Sequence, residues 1–101
     1  MWRMYDYIFL GRATGSDAEK EEARREILEF HETIPGIVGM TAGFDEKGGG
    51  DHNWAVHIRF EDRAAREAYA TNEIHVAVGK RYGHFLERRT LVEFEVEPGA
   101  S

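Results

Sequence analysis

The stretch Trp54-Ala-Val-His-Ile-Arg-Phe60 alternates large apolar residues with smaller or polar ones. This is the period of a half-buried strand, with Trp54, Val56, Ile58 and Phe60 on one face and Ala55, His57 and Arg59 on the other. It runs into Phe60-Glu61-Asp62, where Asp62 is a candidate cap for a short helix through Tyr69. On its upstream side, Lys47-Gly48-Gly49-Gly50-Asp51 lacks the terminal Gly-Lys-Ser/Thr and the strand-to-helix setting of a phosphate cradle. It reads as a flexible hairpin connection to a second strand over residues 37–44.

The same two periods recur further out. Residues 4–10 form a first strand, with Tyr5, Tyr7 and Phe9 on one face and Met4, Asp6, Ile8 and Leu10 on the other. Ser16 with Glu19 makes a capping-box signature for a helix to about Thr33, whose apolar stripe is Ala23, Ile27, Phe30 and Ile34. Pro35-Gly36 ends it. A further helix from about Asn72 to Leu86 and a last strand over residues 89–97 complete the order β-α-β-β-α-β. That order is a ferredoxin-like α+β plan with a split second helix, in one domain over residues 1–97 with a frayed tail at 98–101. Helices on one face leave the other bare, and there Ile8, Leu10, Ala55, His57, Val92 and Phe94 are too apolar for water. Two sheets packed face to face into a dimeric α+β barrel would cover them, so a homodimer is expected.

Composition narrows the function classes. A formal net charge of −6 over 101 residues argues against nucleic acid, because Arg24-Arg25 and Arg88-Arg89 sit among glutamates rather than forming a basic face. With no cysteine, disulfides, thiolate metal sites and cysteine nucleophiles are excluded, and a cytoplasmic setting is expected. No apolar run is long enough for a membrane span or a signal peptide. His31, His52, His57, His75 and His84 never recur three or four residues apart, so neither metal nor other cofactor is expected.

The combination of Ile34-Pro35-Gly36-Ile37, Phe60-Glu61-Asp62, Tyr69 and His75 resembles the stress-responsive dimeric α/β-barrel family over nearly the whole chain. Within it the pattern is most similar to the olivetolic acid cyclase-type polyketide cyclases. The resemblance implies a catalytic pair, His75 and Tyr69, and a substrate cavity lined by Tyr5, Tyr7, Phe9, Ile27, Trp54, Val56, Asn72 and Leu86. It departs from the cyclases where they carry pocket histidines, here Tyr5 and Trp54, and a helix tyrosine, here Ile27. The cavity would therefore be bulkier and less basic, and the substrate does not carry over. Other branches act as hydroxynitrile lyases or oxygenate phenols without metal.

A carbon acid beside a carbonyl needs a base of near-neutral pKa, for which histidine suits. A phenol stays protonated and donates to a developing oxyanion. His75 as base and Tyr69 as donor and orienter would form a cofactor-independent acid-base site for a small carbonyl or polyketide-like substrate, by aldol-type cyclisation or lyase chemistry. Six residues apart, they share no helical register and must meet through a turn near Thr71-Asn72. There Asn72 serves better as a cap than as a ligand contact, and a helix N-terminus would lower the His75 pKa. The residues equally fit a structural imidazole and a core phenol in a non-catalytic stress-response or ligand-binding homodimer. A third reading is a cofactor-free monooxygenase of a phenolic ligand. His57 belongs to the bare face, with Asp6 or Glu93 as its partner.

Overall fold

The computed structural model describes residues 3–48 and 50–97. Strand β1 (Met4–Ala13) leads into helix α1 (Asp17–Leu28) and a four-residue helix α2 (Phe30–Thr33), followed by β2 (Ile37–Phe44) and β3 (Trp54–Phe60). Helices α3 (Arg63–Thr71) and α4 (Glu73–Tyr82), then a single 3-10 turn (Gly83–Phe85), lead to β4 (Leu86–Val96). The four strands form one sheet in the order β2-β3-β1-β4 with every pairing antiparallel, the ferredoxin-like arrangement expected. The glycine run lies in the connection between β2 and β3, where Asp45 Oδ2 accepts from the Gly48 N–H at 2.6 Å. Its Gly49 and the expected frayed tail at 98–101 lie outside the described residues.

Local chemistry accounts for the element boundaries. Ser16 Oγ accepts from the Glu19 N–H at 3.1 Å while Glu19 Oε1 accepts from the Ser16 N–H at 3.0 Å, a complete capping box. Asp62 Oδ1 accepts from Ala65 N–H at 2.8 Å and starts α3. Gly36 has φ of +89°, and a Cβ there would stand 2.5 Å from that of Ala65, so the turn after Pro35 requires glycine. Its carbonyl accepts from the Glu61 N–H at 2.8 Å, which ties the turn to the end of β3.

Three boundaries differ from the sequence reading. The first helix is interrupted at Glu29, yet Ile34 N–H still donates to Phe30 O, so the stripe of Ala23, Ile27, Phe30 and Ile34 stays on one side. β1 continues past Leu10 to Ala13 despite Gly11, because the Asn53 side chain stands in for a strand, accepting from Ala13 N–H at 2.7 Å and donating to Ala13 O at 2.8 Å. Helix α4 stops at Tyr82, and β4 begins at Leu86 rather than Arg89, because the Phe85 carbonyl is captured by the Thr14 N–H at 2.8 Å and Leu86 pairs with Ala13.

All helices cover one face of the sheet. Trp54, Val56, Ile58 and Phe60 of β3 are buried there with Phe30, Ile34, Tyr69 and Val78. On the opposite face Val92 and Phe94 are 52% and 45% exposed. Set among them, Asp6 is only 3% exposed, covered by its own ion-pair partners. Arg59 donates to its two oxygens at 2.7 and 2.9 Å, and His57 Nε2 lies 3.1 Å from Oδ2, poorly aligned for a hydrogen bond. Of the two acids considered for His57, Asp6 is the neighbour. Glu93 is on the helix side, paired with Arg66.

Candidate functional site

Between the sheet and the helices lies a cavity of about 290 Å³. Its floor is β1 and β3, through Tyr7, Phe9, Trp54 and Val56. Its roof is Ile27 and Phe30 from the first helical segment, Tyr69 from α3, and His75, Val78, Gly79 and Tyr82 from α4, with Gly83, Leu86 and Arg89 at one end. Tyr7, Phe9, Ile27, Trp54, Val56, Leu86, Tyr69 and His75 are thus brought together. Two expected members are not. Tyr5 sits beyond the end of the cavity beneath the Arg63 guanidinium, 5.0 Å from its ring centre. Asn72 spends its side-chain oxygen capping α4 by accepting from Ile74 N–H at 2.9 Å, so it is a cap and does not line the cavity.

The helix break at Asn72 sets the geometry of the central pair. Its φ and ψ of −62° and 132° are extended, so the chain turns between α3 and α4 and folds His75 back over Tyr69. The two rings stack with centres 3.9 Å apart and planes 23° from parallel. His75 Nδ1 lies 3.0 Å from the Tyr69 carbonyl oxygen. A carbonyl only accepts, so the ring proton belongs on Nδ1 and the neutral imidazole carries its lone pair on Nε2. Burial holds the His75 pKa below the ordinary histidine value, against an opposing pull from the Tyr69 and Ala70 backbone. Burial is the main cause, whereas the sequence reading credited the helix end.

Tyr69 is 4% exposed, and burial drives its phenol far above the usual tyrosine range. The Tyr7 ring meets it edge-on with centres 5.7 Å apart, and burial pushes the Tyr7 phenol up as well. The Arg66 guanidinium lies 4.8 Å from the Tyr7 ring centre and 5.8 Å from that of Tyr69, while its charge is held by Glu93. Tyr69 therefore orients His75 through its carbonyl and ring, while its own ring packs edge-on against Tyr7.

The sequence reading missed Phe30, Val78, Gly79, Tyr82, Gly83 and Arg89 as lining residues. The signal was present in the spacing of His75, Val78, Gly79 and Tyr82, the i, i+3, i+4, i+7 stripe of a helix. Among the described residues no cluster of three or more His, Asp or Glu could hold a metal ion, and no helix is long and apolar enough to cross a membrane.

Residues 9–96 match the model of the stress responsive A/B barrel domain. The chain belongs to that family. No curated protein sequence matches it. Among solved structures, a dimeric protein of unknown function and ferredoxin-like fold from Bacteroides fragilis is 24% identical with a TM-score of 0.76, covering 95% of this chain and 100% of that one. A hydroxynitrile lyase from Passiflora edulis is 11% identical with a TM-score of 0.82 and full coverage of both chains. SnoaB, a cofactor-independent oxygenase from Streptomyces nogalater, is 15% identical with a TM-score of 0.77 and 94% coverage of each. At these identities the likeness is one of fold, and this A/B barrel fold carries enzymes as well as proteins of unknown function.

Proposed function

We propose that this A/B barrel protein is a cofactor-independent acid-base enzyme acting on a small carbonyl or polyketide-like substrate, with His75 as the base. The observation that carries this is the His75 ring itself. It lines the cavity, its Nδ1 is tied to the Tyr69 carbonyl at 3.0 Å, and burial keeps it neutral, which leaves Nε2 as a free acceptor at neutral pH. The Tyr7 and Tyr69 hydroxyls remain protonated and supply hydrogen-bond donation to an enolate or alkoxide oxygen. Aldol-type ring closure and lyase cleavage both begin or end with a proton moved at carbon or oxygen beside a carbonyl, which one base and one phenol pair can serve. The likeness to a hydroxynitrile lyase fits such chemistry.

Two copies of the chain would bury the bare sheet faces against each other, since Val92 and Phe94 at 52% and 45% exposed form an apolar surface beside the Asp6–Arg59 pair. The dimeric state named for the Bacteroides fragilis protein agrees with this. A chain without cysteine suits a cytoplasmic setting.

Deuterium exchange at the methyl group of 2,4-dihydroxyacetophenone in D2O, followed by NMR, tests the base. The wild type is expected to accelerate exchange at constant dissolved oxygen, and His75→Ala to return the rate to that of buffer. Equal rates for the two proteins would sink the reading. Oxygen uptake matched to product would favour oxygenation of a phenolic ligand instead; SnoaB, of the same fold, is a cofactor-independent oxygenase.

A further inference from the structure

At the Tyr7 end of the cavity two spacings coincide: α3 carries Arg63 and Arg66 one helical turn apart, and β4 carries Glu95 and Glu93 one strand repeat apart. The strand register sets Glu95 opposite Tyr5 and Glu93 opposite Tyr7 on β1. Two matching rungs result. Arg63 pairs with Glu95 and lies 5.0 Å from the Tyr5 ring centre, while Arg66 pairs with Glu93 at 2.5 Å and lies 4.8 Å from the Tyr7 ring centre. The next row, Phe9 opposite Leu91, is apolar, and its Phe9 lines the cavity.

The rungs differ in their surroundings. The Arg63 and Glu95 side chains are 56% and 37% exposed, so water screens the outer pair. Those of Arg66 and Glu93 are 17% and 26% exposed, which leaves the inner charge far less screened. Arg66 also lies 5.8 Å from the Tyr69 ring centre, so one guanidinium packs on both cavity phenols without itself lining the cavity. Burial raises the Tyr7 phenol, and against it Arg66 pulls down more than Glu93 pushes up. The same cation opposes the burial of Tyr69 and adds to burial in keeping His75 neutral.

We infer that Arg66 is a positioning residue of the His75 site: held by Glu93 outside the cavity, it fixes the Tyr7 and Tyr69 rings and favours negative charge on a ligand oxygen that accepts from their hydroxyls. In the proton abstraction proposed above, the C–H bond breaks and its proton goes to His75 Nε2. The freed electron pair forms the enolate double bond and the carbonyl pair moves to oxygen. The phenols keep their protons and donate to that oxygen, and a cation packed on their rings strengthens the donation while occupying none of the cavity. This rests on the proposed acid-base reading and adds the source of its oxyanion stabilisation.

The absorbance of 4-nitrophenol reports its own ionisation, so its pH titration when bound to wild-type protein, to Arg66→Lys and to Arg66→Gln combined with Glu93→Gln tests the inference. The double substitution removes the cation without leaving a carboxylate unpaired. In the wild type the bound phenol is expected to ionise about one pH unit below the free phenol, in Arg66→Lys to keep that shift, and in the double variant to return toward the free value. The His75 ring should titrate higher in the double variant than in the wild type. If Arg66 only clamps α3, the double variant melts earlier while bound 4-nitrophenol ionises as in the wild type, and the inference falls. Equal ionisation of free and bound phenol in the wild type overturns it without recourse to any variant, as does failure of the phenol to bind. In the exchange assay the double variant should lose about tenfold in kcat with KM nearly unchanged. The titration needs no turnover, so exchange without a shift removes the role of Arg66 and leaves the enzyme, whereas a shift without exchange does the reverse.

Discussion

The helix-covered side of the sheet holds Ile58 and Phe60 with no exposed surface, whereas on the opposite side the apolar Val92 and Phe94 lie open and the buried residue is an aspartate. The same strand serves both, since β1 turns Tyr7 and Phe9 toward the cavity and Asp6 toward the bare face. One face gains its stability from packed hydrocarbon, around a cavity left between aromatic rings. The other holds a charge pair in the middle of apolar surface, which costs desolvation and makes sense where a second surface must meet it in one register. Cavity and bare apolar face are thus separated by a single sheet thickness and share no side chains.

Truncating the two faces should give very different results. Ile58→Ala is expected to cost about 3 kcal/mol, by lost transfer energy and a cavity that cannot collapse. Val92→Ala should cost within about 0.5 kcal/mol for the isolated chain. If copies pair through this face, the Val92 deficit grows with protein concentration while that of Ile58 stays large throughout; chemical denaturation at two concentrations decides this. A Val92 deficit that ignores concentration would mean the face is left to water.

A charge change sharpens the contrast further. Asp6→Asn is expected to cost about 1–2 kcal/mol, less than a fully buried pair, because Arg59 is a third exposed. Arg59 holds the Asp6 pKa below the ordinary aspartate value, with His57 adding to it against the cost of burial. The folded state therefore binds this proton more weakly than the unfolded chain does. The contribution of Asp6 is complete above the unfolded aspartate pKa and is lost as pH falls through the depressed folded value. Wild-type stability should drop over that window, and Asp6→Asn should flatten part of the drop.

The smallest effect belongs to the cavity side. His75 is also depressed, but as a base, by burial. Its neutral form is the one the fold accepts, so stability is full above the unfolded histidine value near 6.5 and declines as pH falls below it toward the folded pKa. A shallow decline below pH 6.5 is expected in the wild type and absent in His75→Gln. NMR titration of the His75 ring gives the folded pKa directly, and a midpoint at or above 6.5 would contradict the buried neutral base.

Much of this was legible in the sequence because it rests on local periods. The alternation of Trp54 to Phe60, the Ser16 and Asp62 caps and the glycine after Pro35 each specify their own backbone, and together they leave one sheet order. The meeting of Tyr69 and His75 was legible as far as the need for a turn, and Asn72 supplies it. Less legible were features that depend on partners distant in sequence. The first strand reads as ending at Leu10 until Asn53 pairs with Ala13. The end of α4 reads as continuous helix until Thr14 captures Phe85. Arg89 reads as one basic residue among glutamates until register sets it beside Gly11 and opposite Trp54. Tyr5 was misassigned because face alone does not say how far along a strand a cavity extends.

The position of β1 has a kinetic consequence. It lies in the middle of the sheet, yet one neighbour is the last strand, with Met4 opposite Val96. Its hydrogen bonds on that side cannot form until the residues up to Val96 have emerged from the ribosome. Folding should accordingly be slower than for helical domains of similar length, since the longest loop closes before its contacts repay it. Until then the Tyr5, Tyr7 and Phe9 segment is an unpaired aromatic edge, the part of the newborn chain with most need of a chaperone.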